Sequence, residues 1–462
     1  MSNPTFNSTN LKLALVENLT TLGYLSMTDI QAKSIPLMLA GKDVIGQAKT
    51  GSGKTCAFGL GLLNNLNVKR FRVQSVVLCP TRELADQVAV EIRKLARNIH
   101  NIKVLTLCGG QPMGPQIGSL EHGAHIIVGT PGRVEEHIRK GRLSLDEVNT
   151  LVLDEADRML DIGFEESLNT IVGFCPSDRQ NLLFSATFPP KIEQFAAHIM
   201  NAPEKVTVEA SHDNSSISQY FYEVEGGDEQ RMDASKRLLL AFQPQSAVVF
   251  CNTKVQCQLL SEQLKASGFD SAALHGDLDQ KDRDKVMIRF ANKSLSVLIA
   301  TDVAARGLDV DNLDLVINFH IAHDPEVHVH RIGRTGRAGK KGTACSFISY
   351  KEAHKVIRLE EYLGQEIIPT ELPDESVLNQ KAVRATMVTL QIDGGKKSKL
   401  RPGDILGGLT SNPNISGQQI GKIKVQAVAS FVAVEAKIAN LAVKTISEGK
   451  MKGRNFRVRK IS

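Results

Sequence analysis

No CxxC pair, no apolar run long enough to span a bilayer, no short internal repeat and no low-complexity tract occurs in this 462-residue chain. Seven scattered cysteines without that pairing argue against a zinc site or a disulfide framework, and for buried thiols in a reducing compartment, so a cytoplasmic location is expected. The missing apolar run excludes a helical membrane protein. The first residues, "MSNPTFNSTNLKLALVENL", lack the basic-then-apolar order of a secretory signal, and none is expected. Hydrophobic content of 42% with 23% charged residues describes a globular chain, and its length calls for two or three domains.

Charge is unevenly distributed. Residues 383–462 carry 15 Lys+Arg against 4 Asp+Glu, a net +11, which leaves 41 against 46, a net −5, for residues 1–382. A basic module with a polyanionic partner is expected at that end. Before it, apolar runs of strand length alternate with stretches of helical periodicity. "DVIG" (43–46), "SVVLC" (75–79), "HIIVG" (125–129), "TLVLD" (150–154) and "NLLFS" (181–185) form one series. After the polar stretch "EASHDNSSISQ" (209–219) the pattern restarts with "SAVVFCN", "VLIATD" and "DLVINF". Near-continuous apolar strands between helices predict parallel sheets covered on both faces, in two tandem α/β domains. Domain one is expected over 1–208, a linker over 209–219, domain two over 220–368, a second linker over 369–384 and the basic module over 385–462.

Within domain one, "AKTGSGKT" (48–55) lies between a short strand and a stretch that can be helical, the context a phosphate-binding loop needs. Ala48, Lys49, Thr50, Gly51, Ser52 and Gly53 would wrap the phosphates with backbone amides at a helix N-terminus. Lys54 would meet the β and γ phosphates, and Thr55 would offer a hydroxyl to Mg²⁺. A hundred residues on, "DEAD" (154–157) ends a buried strand, at the sheet edge where ligands bind in open α/β folds. Asp154 could hold Mg²⁺ through its waters and Glu155 could activate the attacking water; a plain helix start capped by Asp154 or Asp157 is the bland alternative, weakened by the phosphate loop. Domain two has no phosphate loop but carries "HRIGRTGRAG" (330–339), where Arg334 and Arg337, one helical turn apart, are candidate arginine fingers. Hydrolysis would then need the two domains to close on the nucleotide.

Taken in order, "GYLSMTDIQ", "AKTGSGKT", "PTRELADQV" (80–88), Gly109-Gly110, "TPGR" (130–133), "DEAD", "SAT" (185–187), "ATDVAARGLDV" (300–310) and "HRIGRTGR" resemble the motif series of the DEAD-box RNA helicases, over residues 6 to about 368. That resemblance implies two tandem RecA-like domains that clamp ATP, Mg²⁺ and single-stranded RNA. It assigns adenine recognition to Gln31 and base stacking to Phe6, and ribose contact to Asp309. Coupling of hydrolysis to unwinding falls to Ser185, Thr187, His330 and Asp157. RNA contacts fall to Pro80, Thr81, Arg82, Gly110, Thr130, Arg133 and Thr301, with Arg283 from the weaker "QKDR" match beside Gln280. Met27 stands where many family members have proline.

The basic module reads β-α-β-β-α-β, the topology of an RNA-recognition motif, a small α+β domain. It resembles the C-terminal domain of the DbpA subfamily, which implies a hairpin of 23S ribosomal RNA as target, in assembly of the large (50S) subunit. Its central strands are short of aromatics: "MVTLQI" has none and "SFVAVE" only Phe431, so base stacking on the open sheet is not expected. Basic loops and edges are expected to bind the RNA instead: Lys396, Lys397, Lys399 and Arg401, then Lys450, Lys452, Arg454, Arg457 and Arg459, the last two alternating with Phe456 and Val458 on a closing strand. The function expected is ATP-dependent local unwinding of short RNA duplexes by a monomer. An ATP-gated RNA clamp, or a helicase of broad specificity, would use the same motifs.

Overall fold

The structure, a computed structural model, describes residues 4–48, 51–208, 217–305, 313–336 and 341–461. The expected contributors Lys49, Thr50, Asp309 and Arg337 lie outside the described residues. The chain forms two compact units, one holding the residues described up to 208 and the other those from 217 on.

In the first unit seven parallel strands lie in the order Val104–Leu107, Ile126–Gly129, Ser75–Leu78, Thr150–Asp154, Gln180–Ser185, Val44–Gln47, Glu204–Thr207. Successive strand residues point to opposite faces, and both faces are covered. Val77, Val152, Leu182 and Phe184 enter one buried cluster, while Val76, Leu78, Leu151, Leu153 and Leu183 enter another. That is why these strands read as unbroken apolar runs rather than as alternating ones.

The second unit repeats this architecture and adds a domain. Its seven parallel strands run Ser271–Leu274, Val297–Thr301, Ala247–Cys251, Leu315–Asn318, Gly342–Ile348, Ile217–Glu223, Pro369–Thr370. Two of them reach into segments expected to be linkers. Ile217–Glu223 begins inside 209–219, and Pro369–Thr370 pairs with Phe221 and Tyr222. The second segment is further fixed by the Arg237 guanidinium, which donates to the Pro373 carbonyl from Nε at 2.9 Å.

The third sheet is antiparallel, Ile420–Val425, Ser430–Glu435, Met387–Ile392, Val458–Ile461, with the helices Pro402–Thr410 and Ala439–Glu448 packed on one face. Its other face is occupied at the centre. Thr389, 0% exposed, takes a hydrogen bond from Asn292 Nδ2 at 3.1 Å and shares one with Ser294 Oγ at 2.6 Å, both from the turn after helix Gln280–Ala291. The Ala385 N–H donates to Asp270 Oδ2 at 2.7 Å, and Arg384 pairs with Asp270 at 3.5 Å. The basic module is therefore seated on the second parallel-sheet domain by its sheet face.

Candidate nucleotide and RNA sites

The phosphate loop leaves strand Val44–Gln47, and the Ala48 N–H bonds the Ser185 carbonyl at 3.1 Å, tying the loop to the neighbouring strand end. Gly53 caps helix Lys54–Asn65 at φ 96°, and a Cβ there would meet Gln31 Nε2 at 2.5 Å, so only glycine fits. Lys54 is buried and donates through Nζ to the Ala48 carbonyl across the loop. Gln31 bonds locally from both ends of its amide and keeps a second Nε2 hydrogen: Oε1 accepts from the Thr28 N–H at 2.9 Å and Nε2 donates to the Gly53 carbonyl at 3.1 Å. The residue expected to read adenine is thus also tied to the phosphate loop. Phe6 is 3% exposed, packed in the same core cluster as Met27. The Met27 N–H bonds the Pro4 carbonyl at 2.9 Å, a contact that a proline at position 27 could not make.

Asp154 ends its strand almost fully buried, and burial, with the adjacent Glu155 charge, pushes its carboxyl up to about 7 against the pull of Lys54. A carboxylate so placed calls for a cation, and Thr55, next to Lys54 at the helix start, adds a second hard oxygen donor. Glu155 follows in the left-handed region, φ 52° and ψ 52°, a conformation that costs a non-glycine residue energy and collects at active sites. Its Oε2 is held by Arg158 Nη1 at 3.3 Å. Asp157 takes the Thr187 hydroxyl at 2.7 Å and the Thr187 N–H at 3.3 Å on Oδ2, which ties the carboxylate motif to the "SAT" strand end. Ser185 closes strand Gln180–Ser185 with 0% exposure.

At the other strand ends of the same sheet, Thr81 caps helix Arg82–Leu95 by accepting from the Leu84 N–H at 3.3 Å, and Thr130 precedes helix Pro131–Arg139. The loops after these strands are cross-tied. Gly109 N–H donates to Thr130 Oγ1 at 3.3 Å, Arg133 Nη1 to the Gln111 carbonyl at 3.0 Å, and Cys79 N–H to the Gly129 carbonyl at 2.9 Å. Pro80, Thr81, Arg82, Gly110, Thr130 and Arg133 are thereby gathered beside two helix N-termini, whose free amides and dipoles favour phosphate.

In the second unit Thr301 ends strand Val297–Thr301, Arg283 lies in the first turn of helix Gln280–Ala291, and His330 is in helix Pro325–Ile332. The spacing expected between Arg334 and Arg337 involves a residue outside the described ones. The helix stops at Ile332 with Gly333 as its cap, and Arg334, 9% exposed, lies beyond it. Past the helix end Thr335 forms a bridge to the distant Leu313, and its hydroxyl bonds the Leu313 carbonyl. Sequence reasoning passed over the neighbouring Arg331. It is 2% exposed, bonds Asp302 twice at 2.6 and 2.7 Å, and donates to the His320 carbonyl at 2.8 Å and to Asn252 Oδ1 at 3.2 Å. An arginine beside an assigned motif histidine, and an aspartate just past a buried strand, were the available signals.

The module's basic residues are exposed and converge from two segments. The loop holding Lys396, Lys397 and Lys399 is laid on the hairpin 426–429 by bonds from the Lys396 and Lys397 N–H groups to the carbonyls of Gln426 (2.8 Å) and Ala427 (2.9 Å). Arg401 caps helix Pro402–Thr410, whose Asp404 pairs with Lys452 at 3.4 Å. Lys450 precedes the tight turn that links Met451 to Arg454, and the Arg457 carbonyl takes the Asp393 N–H at 2.9 Å, while Arg459 pairs with Asp393 at 3.0 Å. Phe456 and Val458 are buried beneath them. Phe431 shares a face with Thr389 and is 5% exposed, so no ring is presented for stacking there.

Comparison with known proteins gives three family matches along the chain. Residues 28–195 match the DEAD/DEAH box helicase family, 230–339 the helicase conserved C-terminal domain, and 389–460 the DbpA RNA binding domain. The chain is 51% identical over 446 residues to the ATP-dependent RNA helicase DbpA of Escherichia coli (strain K12), covering 96% of this chain and 97% of that protein. It is 43% identical over 382 residues to the DEAD-box ATP-dependent RNA helicase CshA of Geobacillus kaustophilus, covering 82% and 81%. Among solved structures it resembles S. cerevisiae Dbp5 bound to RNA and ADP BeF3, with TM-score 0.71, 29% identity, and coverage of 81% of this chain and 98% of that one.

Proposed function

We propose, for a chain that belongs to the DEAD-box ATP-dependent RNA helicases and carries a DbpA-type RNA-binding domain, that it unwinds short RNA duplexes beside a 23S ribosomal RNA hairpin during large-subunit assembly. The module recognises the hairpin, and the helicase domains act on whatever duplex lies within reach. Unwinding is local, and the protein works as a cytoplasmic monomer. Thr55, and Asp154 through water, would hold Mg²⁺, which would supply positive charge for the phosphates. Lys54 binds the phosphates, Glu155 orients and deprotonates the attacking water, and Arg334 supplies positive charge to the transition state.

One observation carries the choice of RNA: two basic segments far apart in sequence meet at one end of a domain matched by the DbpA RNA binding family. Such a surface reads shape and phosphate spacing, and is sensitive to salt. RNA-stimulated ATPase across a panel of RNAs, including 23S rRNA fragments, at two salt concentrations tests this. Fragments with the cognate hairpin should stimulate at far lower concentration than other RNAs. Equal stimulation by all structured RNAs would replace this reading with a helicase of broad specificity.

A further inference from the structure

The basic end of the module contains acids as well as bases, and one of them occupies a joint. Asp404 Oδ2 accepts the Arg401 N–H at 2.8 Å and pairs with Lys452 Nζ at 3.4 Å, so a single carboxylate oxygen ties the 396–401 segment to the 450–454 loop. Asp404 sits in the first turn of helix Pro402–Thr410, where the helix dipole favours its charge. Both tied loops hold a lysine in an unfavourable backbone conformation: Lys399 has φ 59° and Lys452 φ 51°. Lys452 and Gly453 (φ 75°) are the central residues of a two-residue turn closed by reciprocal bonds between Met451 and Arg454, at 2.9 and 3.1 Å. Such turns favour asparagine or aspartate before glycine, and lysine there is strained. A loop that only needed positive charge would carry its lysine at any unstrained position.

We propose that Asp404 is a positioning residue for RNA selection. It fixes the spacing of the two basic loops, so that the module matches one phosphate arrangement at the expense of indiscriminate attraction. This rests on the reading of the module as a hairpin-binding domain. The two ideas separate because a plain acid in a basic field and a positioning acid predict opposite signs for one RNA.

The test uses the full chain and two probes, a 23S rRNA hairpin fragment and a scrambled single strand of the same length. Replacing Asp404→Asn removes a negative charge and keeps the side-chain shape. Single-strand affinity should rise by about threefold at low salt, because one opposing charge is gone. Hairpin affinity should fall by about tenfold, because the charge-assisted tie is lost. The RNA concentration for half-maximal ATPase should rise for the hairpin with kcat unchanged. Tighter binding of both probes by the same factor would overturn the proposal. Lys452→Asn is the second variant, since asparagine suits the left-handed turn and should leave thermal unfolding unimpaired. It should cost the hairpin more affinity than the single strand, and an equal loss for both would also overturn the proposal. If the unaltered protein shows no preference for the hairpin, the functional reading itself fails. A preference that survives Asp404→Asn removes only the role given to Asp404.

Discussion

Arg331 grips Asp302 with two parallel hydrogen bonds, Nε to Oδ1 at 2.6 Å and Nη2 to Oδ2 at 2.7 Å, inside the second unit. The same guanidinium also reaches the loop ends after two other strands, at Asn252 and His320. It is the strut on which the turn carrying Arg334 is mounted, three residues further on.

Arg331→Lys tests the strut. Lysine keeps the charge but has no fork to engage both carboxylate oxygens. Losing one of the two charge-assisted bonds costs about 2 kcal/mol, so the unfolding midpoint in urea should fall. RNA-stimulated ATPase should drop with it. Unchanged stability would mean that the pair is dispensable for the domain.

Glu155→Gln removes the group that acts on water and leaves the phosphate loop and Asp154 in place. ATP and RNA should still bind in a filter or fluorescence assay, while turnover falls below detection. Hydrolysis at the rate of the unaltered protein would take the base role away from Glu155.

Arg334→Ala should slow RNA-stimulated hydrolysis by about 10³-fold or more, the range for an arginine finger, with little change in ATP binding. A loss below about tenfold would transfer the role to another cation in the second unit.

His328 gives the second unit an acid-sensitive point. Burial, reinforced by the nearby Arg331 charge, pushes its imidazole down to about 3, and it lies parallel to the Phe221 ring at 6.0 Å. A base whose folded pKa lies below its unfolded value near 6.5 binds its proton less well when folded. Its contribution to stability is whole above about pH 6.5 and is lost as pH falls toward 3. By pH 5 the loss should be about 2 kcal/mol. His328→Gln should flatten the fall of the thermal midpoint between pH 7 and 5, and an identical acid limb in both proteins would exclude His328 as its source.

The plan of two tandem parallel sheets, the phosphate loop, the carboxylate motif and the α+β plan of the basic module were legible in the sequence. Each rests on short-range rules: apolar runs of strand length, glycines where a backbone must turn left-handed, and charge segregated into one segment. What the sequence could not reveal depends on contacts between distant residues. Nothing local marks Thr389 as buried under Asn292 and Ser294, or shows that 369–370 completes a sheet begun at 217. Nothing local showed that the helix before Arg334 ends at Ile332 and that Thr335 then bridges Leu313, some twenty residues upstream. The two basic segments were visible as charge, but only packing brought them to one carboxylate at Asp404. Local chemistry determined which groups this protein carries, and tertiary contacts decided which of them meet, because burial and ion pairing act through space rather than along the chain.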